Sequence, residues 1–162
     1  MENLCNVCPR KCNVNRETSL GFCKAGTMPK ISKVMLHHFE EPPISDGNGS
    51  GAIFFSSCTL KCVYCQNYNI STCSEGKEVS TETLASLFKQ LENAGADSIC
   101  VKDMAGLLTP YGTYDLVKAL KETVKIPIQL HSHYTSGLGS MVLLKAIEAG
   151  ADVVDTAISP LA

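Results

Sequence analysis

The sequence predicts an α/β fold: a partial TIM-type (β/α) barrel of about four parallel strands with their connecting helices, carrying a cysteine-rich N-terminal extension. Three observations predict it. From residue 80 onward, apolar runs of strand length alternate with segments whose apolar residues recur at helical spacing, and such alternation with short loops makes parallel βα units. Glycines stand where the helical patterns stop, at Gly95 and Gly150. The cysteines, nine in all, bunch early in the chain at spacings that suit metal ligands better than a core.

In chain order, residues 1–50 read as the extension and residues 51–162 as the partial barrel. Residues 1 to about 30 are interrupted by Pro9, Gly21, Gly26 and Pro29, so this segment needs a staple to order itself. Residues 31–51 predict a short strand and then a turn rich in Gly, Pro and Asn. "AIFFS" (52–56) is a short apolar run, hence a buried strand. The next helix opens at Ser80 as N-cap, with Thr83 where a capping box would carry Glu, and shows Leu84, Leu87, Phe88 and Leu91 on one face. Strands follow at 98–102, 126–131 and 151–158, with helices at 111–124 and 140–150 between them. Four strands and three helices make half of an eight-stranded barrel, which leaves two bare edges and predicts pairing of copies through them. The chain then stops at "ISPLA" with no closing helix.

Composition excludes several classes. With 44% apolar residues, 19% charged residues and a net charge of −2, there is no broad basic surface for nucleic acid. No apolar run reaches membrane-span length, and the start lacks the core of a signal peptide, so a cytoplasmic protein is expected.

Two constellations carry chemistry. "CTLKCVYC" presents Cys58, Cys62 and Cys65 as C-x3-C-x2-C directly after a buried strand. Three thiolates suit an iron–sulfur cluster with one open iron, or a zinc site borrowing Cys73 as fourth ligand. Upstream, Cys5, Cys8, Cys12 and Cys23 form C-x2-C-x3-C-x10-C, a metal site whose metal the spacing leaves open. The second constellation is Lys102 with His131 and His133. Each ends a strand, alternate residues of a strand face the same way, and barrel enzymes assemble their sites at the C-terminal strand ends. Asp103 and Asp155 read as caps or turn formers, and His37 and His38 as structural or close to the cysteine loop.

On these motifs, residues 1–80 resemble the radical S-adenosylmethionine (SAM) superfamily, in its pyruvate-formate-lyase-activating-enzyme-like branch. That resemblance implies a [4Fe–4S] cluster on Cys58, Cys62 and Cys65, completed by SAM, with Tyr64 against the adenine. "KDMAG" and "HSH" within residues 92–162 resemble instead the carboxyltransferase domain of biotin-dependent enzymes such as the oxaloacetate decarboxylase α subunit and pyruvate carboxylase. That resemblance implies a divalent metal (Zn, Mn or Co) on His131, His133 and a carbamylated Lys102. Each pattern is incomplete. The first strand carries the cysteine loop where carboxyltransferases place an aspartate ligand, and "VKDMAGLL" stands where radical SAM enzymes place a glycine-rich stretch. The sequence therefore reads as a chimera joined near residues 80–95. The expectation is an iron–sulfur protein of radical SAM type. The alternatives are a metal-dependent carboxyltransferase or decarboxylase fragment acting on a 2-oxo acid, or a non-catalytic metal-binding half-barrel.

Overall fold

The computed structural model describes residues 4–39, 47–104, 106–134 and 136–155. Ten elements follow one another: β1 (Lys30–His37), β2 (Ser50–Phe55), α1 (Tyr68–Ser71), β3 (Lys77–Glu78), α2 (Thr81–Asn93), β4 (Ile99–Asp103), α3 (Pro110–Thr123), β5 (Ile128–Ser132), α4 (Gly139–Glu148) and β6 (Val153–Asp155). They build one six-stranded mixed sheet in the order β3-β1-β2-β4-β5-β6. β2, β4, β5 and β6 run parallel in chain order, with α2, α3 and α4 as their crossovers, as the alternation predicts. Of the last predicted strand, 151–158, only Val153–Asp155 is seen as strand; residues 156–158 and the rest of the "ISPLA" end lie outside the described residues.

One flank of the sheet differs from the expectation of a bare parallel edge. β1 pairs antiparallel with β2 from Ile31↔Phe55 to His37↔Ser50, and β3 pairs antiparallel with β1. A two-residue strand such as β3 carries no periodicity to read, and the partner of β1 is set by the return of the chain after the cysteine loop. The four-residue helix α1 is too short to show a helical period for the same reason.

The core is apolar on terms the sequence announces. Ile99, Ile128 and Leu130 are fully buried, and Phe88, Leu91, Val117, Leu120, Val142 and Ala146 reach them from the three helices. Fully burying one such side chain is worth about 1.5–3 kcal/mol, so these strands are pinned from the helix side. Ser80 caps α2 by accepting the Thr83 N–H at 3.2 Å. Gly51 lets α2 approach β2: a Cβ there would stand 2.8 Å from Ile99 Cδ1 and 3.1 Å from Leu91 Cβ.

A repeated "AGAD" shows how the short returns are closed. In both copies the glycine takes a positive φ, Gly95 at 90° and Gly150 at 97°, which ends the helix. The aspartate that follows then secures the start of the neighbouring parallel strand. Asp97 accepts the Asn48 and Gly49 N–H groups, each at 3.0 Å, while its own N–H donates to Gly49 O. Asp152 accepts the Ile128 N–H at 2.7 Å and Lys121 Nζ at 2.8 Å, while its own N–H donates to Ile128 O. Burial alone would raise the Asp152 pKa, but the Ile128 N–H and the Lys121 ammonium outweigh it and hold the carboxyl below its ordinary value.

A carboxyl lowered in the folded state stabilises fully above its unfolded pKa and loses that contribution as pH falls through the folded value. Asp152→Ala should therefore cost about 1 kcal/mol near neutral pH and nothing once acid has protonated the parent. Urea midpoints of parent and variant across the acid range check this; a gap that stays constant into strong acid would assign the loss to packing instead.

Candidate metal-binding site at the strand ends

β4, β5 and β6 present their carboxyl ends side by side. The ladder sets Lys102 opposite His131, and His131 opposite Asp155, so the three occupy one row across three parallel strands. Residues in one row of a sheet project to one face, and His133 follows His131 at an alternate position. The structure thus brings together the Lys102, His131 and His133 singled out from sequence. All three are half-buried.

Asp155 has a role that the sequence pattern does not show. Its Oδ1 meets His131 Nδ1 at 2.8 Å, and its Oδ2 accepts Gln129 Nε2 at 2.8 Å. A carboxylate on Nδ1 selects the tautomer that leaves Nε2 as the lone-pair donor, the usual support of a metal-binding histidine. The available signal was an aspartate on the strand after H-x-H, but only pairing register shows that the two meet. Gln129 is buried, and its Oε1 has no partner among the described residues.

His133 stands edge-on to His131, with ring centroids 4.9 Å apart. Burial lowers its pKa and the neighbouring His131 lowers it further, against opposing pulls from Asp103 and Asp155. The net lowering favours the neutral ring, the form in which imidazole can ligate. Asp103 does form a turn, one of the two roles its position suggests. Its oxygens accept the Leu107 and Leu108 N–H groups at 2.9 and 3.0 Å, and its carbonyl accepts the His133 N–H at 3.2 Å. One residue thereby shapes both loops that leave the site.

The cysteine loop is organised differently. Cys58 Sγ accepts the Leu60 N–H at 3.4 Å, and Cys65 Sγ lies 3.2 Å from Ser71 Oγ. Cys73 is exposed, and Tyr64 is 81% exposed. Cys5, Cys8, Cys12 and Cys23 surround a small cavity that also includes Thr59. His37 meets Phe39 edge-on, with ring centroids 6.1 Å apart. Among the described residues no three His, Cys, Asp or Glu side chains form a group placed to hold a metal ion. No described helix is long and apolar enough to cross a membrane.

A mixed α/β sheet with polar residues gathered at its parallel strand ends defines the class. The HMGL-like family profile matches residues 59–161, and the chain belongs to that family. It is 67% identical over 76 residues to a pyruvate carboxylase subunit from Methanocaldococcus jannaschii, covering 47% of this chain and 13% of that protein. It is 54% identical over 77 residues to pyruvate carboxylase of Bacillus subtilis, covering 48% of this chain and 7% of that protein. To the methylmalonyl-CoA carboxyltransferase 5S subunit of Propionibacterium freudenreichii it is 52% identical over 84 residues, covering 51% of this chain and 17% of that protein. Among solved structures, the carboxyl transferase domain from Rhizobium etli pyruvate carboxylase with pyruvate and biocytin is 46% identical, with a TM-score of 0.48, covering 51% of this chain and 14% of that one. The chain thus spans well under a fifth of the length of these relatives.

These matches correct the first expectation. The family profile matches residues 59–161, a span that starts inside the cysteine loop and takes in Cys62, Cys65 and residues 80–95. No seam is found there, and the chimera reading is not supported. The relatives are carboxylases and carboxyltransferases, so the radical SAM assignment is withdrawn, and with it the [4Fe–4S] cluster on Cys58, Cys62 and Cys65 and SAM against Tyr64. The physical reason for the misreading is that C-x3-C-x2-C states only how thiols are spaced along the chain. It does not state whether they converge.

Removing Asp155 leaves the buried Gln129 amide and the His131 ring without their shared acceptor. Asp155→Ala should cost roughly 1–3 kcal/mol, the usual penalty for orphaned buried donors. Chemical denaturation measures it; an unchanged midpoint would mean that solvent replaces the carboxylate without loss.

Proposed function

We propose that the chain supplies the metal-binding part of a carboxyltransferase-type barrel site, which moves a carboxyl group to or from a 2-oxo acid of the pyruvate class. The observation that carries this reading is the single row of Lys102, His131 and Asp155 across three parallel strand ends, with His133 beside it. The relatives named for pyruvate and for carboxyl transfer support the substrate class and the enzyme class.

The donors fit a divalent cation. His131 has its Nδ1 engaged by Asp155 and keeps Nε2 for ligation, burial favours the neutral form of His133, and Lys102 stands beside His131 in the row. A lysine amine that captures carbon dioxide becomes an anionic oxygen ligand, which is the role the carboxyltransferase resemblance implies for Lys102. When bound, such a cation acts as a Lewis acid toward a substrate carbonyl oxygen. The chain's own residues set the stage for it. Asp155 fixes the His131 ring, Gln129 fixes Asp155, and Asp103 shapes the loop after β4 through Leu107 and Leu108. β2 ends at Phe55 and is followed by Ser56, Ser57 and Cys58, where carboxyltransferases carry an aspartate ligand, so these strand ends supply fewer ligands than the family pattern.

Manganese(II) tests this site selectively, because it favours oxygen and nitrogen donors over thiolates. The chain should bind Mn(II) in equilibrium dialysis. His131→Ala and His133→Ala should each weaken binding at least about tenfold, and Asp155→Ala by about 10–100-fold through the ligand it orients. Oxaloacetate decarboxylation, where the chain shows it, should be abolished by Lys102→Ala. Mn(II) affinity unchanged in both histidine variants would remove the basis of the proposal.

A further inference from the structure

Residues 4–30 contain no buried side chain, yet their backbone follows a defined path. The Cys5 N–H donates to Val14 O at 2.9 Å and the Asn13 N–H to Cys5 O at 3.1 Å, closing a clip bridged at Leu4 and Asn15. Two further turns close at 3.0 Å, Lys11 N–H on Cys8 O and Lys24 N–H on Gly21 O, with both lysines at positive φ (43° and 59°). Backbone hydrogen bonds worth about 1 kcal/mol net each cannot offset the ordering of so long a segment without a core. Something else must hold the segment.

All three turns carry cysteine to one place. Cys5, Cys8, Cys12 and Cys23 line a cavity of about 20 Å³, and Arg10 and Arg16 share its wall. A space of that size takes one water or one ion without rearrangement. The Phe22 N–H donates to Cys12 Sγ at 3.5 Å, a contact that an anionic acceptor makes stronger. Gly21 lies against the same residue, where an added Cβ would stand 3.2 Å from Cys12 Sγ, so glycine lets the segment bearing Cys23 close on Cys12. All four cysteines are free rather than paired as disulfides.

We propose that Cys5, Cys8, Cys12 and Cys23 bind one zinc(II) ion as a structural site that fastens the N-terminal segment to the barrel portion. Four soft thiolates in a closed set suit tetrahedral zinc, with every position filled by protein. Binding exchanges four thiol protons for one Zn²⁺, with no change of oxidation state, and leaves a site of net charge −2. Arg10 and Arg16 stand in the cavity wall to offset that charge. Arg10 also makes the fastening: its Nε donates to Thr59 O at 3.0 Å, and its guanidinium lies 3.6 Å over the Phe22 ring, which Lys61 approaches from the other loop at 4.2 Å. No three of the four sulfurs stand at ligand geometry in the structure, so the ion must draw them together on binding. This site is independent of Lys102, His131 and His133, and it can stand whether or not that proposal does.

The test is the metal content of the full chain purified without added metal, together with cobalt(II) substitution. One zinc per chain should disappear in Cys8→Ser/Cys12→Ser and persist in His131→Ala/His133→Ala. Cobalt(II) should give thiolate-to-metal charge transfer and tetrahedral d–d bands at one equivalent, reversed by zinc. A chelator should raise the rate of tryptic cleavage after Lys11 and Lys24 at least about tenfold, because unfolding of the segment exposes both bonds. Zinc retained at full stoichiometry in a folded Cys8→Ser/Cys12→Ser chain would overturn the proposal. So would iron with acid-labile sulfide at the quartet, or loss of its free thiols to disulfides. If the double variant does not fold, the cobalt titration of the parent chain decides alone, and absence of charge-transfer bands refutes the site.

Discussion

The parallel ladder joining β4, β5 and β6 is the constraint on which the rest depends. Its register puts Lys102, His131 and Asp155 in one row, and a slip of one residue would turn His131 toward the helices and Ile128 and Leu130 away from them. The burial of Ile99, Ile128 and Leu130 prevents that slip, because each sits in the only register that seats it against α2, α3 and α4. The apolar side of the strands therefore positions the polar side. A core made for packing becomes the ruler for a site.

Carboxylates complete what the ladder begins. Asp97 and Asp152 secure strand starts by accepting backbone N–H groups, while Asp103 and Asp155 organise strand ends. At the start of a strand the aspartate replaces missing ladder bonds. At the end it orders a loop or aims a ring. The four differ in consequence only because the C-terminal ends are where histidine and lysine also stand.

Much of this was legible residue by residue. Leu84, Leu87, Phe88 and Leu91 announced α2, Ser80 its start and Gly95 its end, and the structure follows them closely because local capping and burial agree. Lys102 and His131 were legible as residues near strand ends, while His133 falls just past β5, which stops at Ser132. Asp155 was not legible, because its meaning lies in the residue opposite it. The cysteines were legible as chemistry but were misassigned in the loop at Cys58, Cys62 and Cys65, where spacing was taken for convergence. The family match and the carboxylase and carboxyltransferase relatives correct that assignment.

By itself the sequence determined the βα rhythm, the helix limits, the apolar residues of the core and the kinds of donor available, since these depend on neighbours within a turn or two of the chain. Only the tertiary structure decided that β1 covers the flank of β2, that Asp155 meets His131, and that four cysteines from successive turns of the N-terminal segment face one ion-sized space. Each is a contact between segments whose separation along the chain says nothing of their distance. Register, turn geometry and the packing of a shared core set that distance.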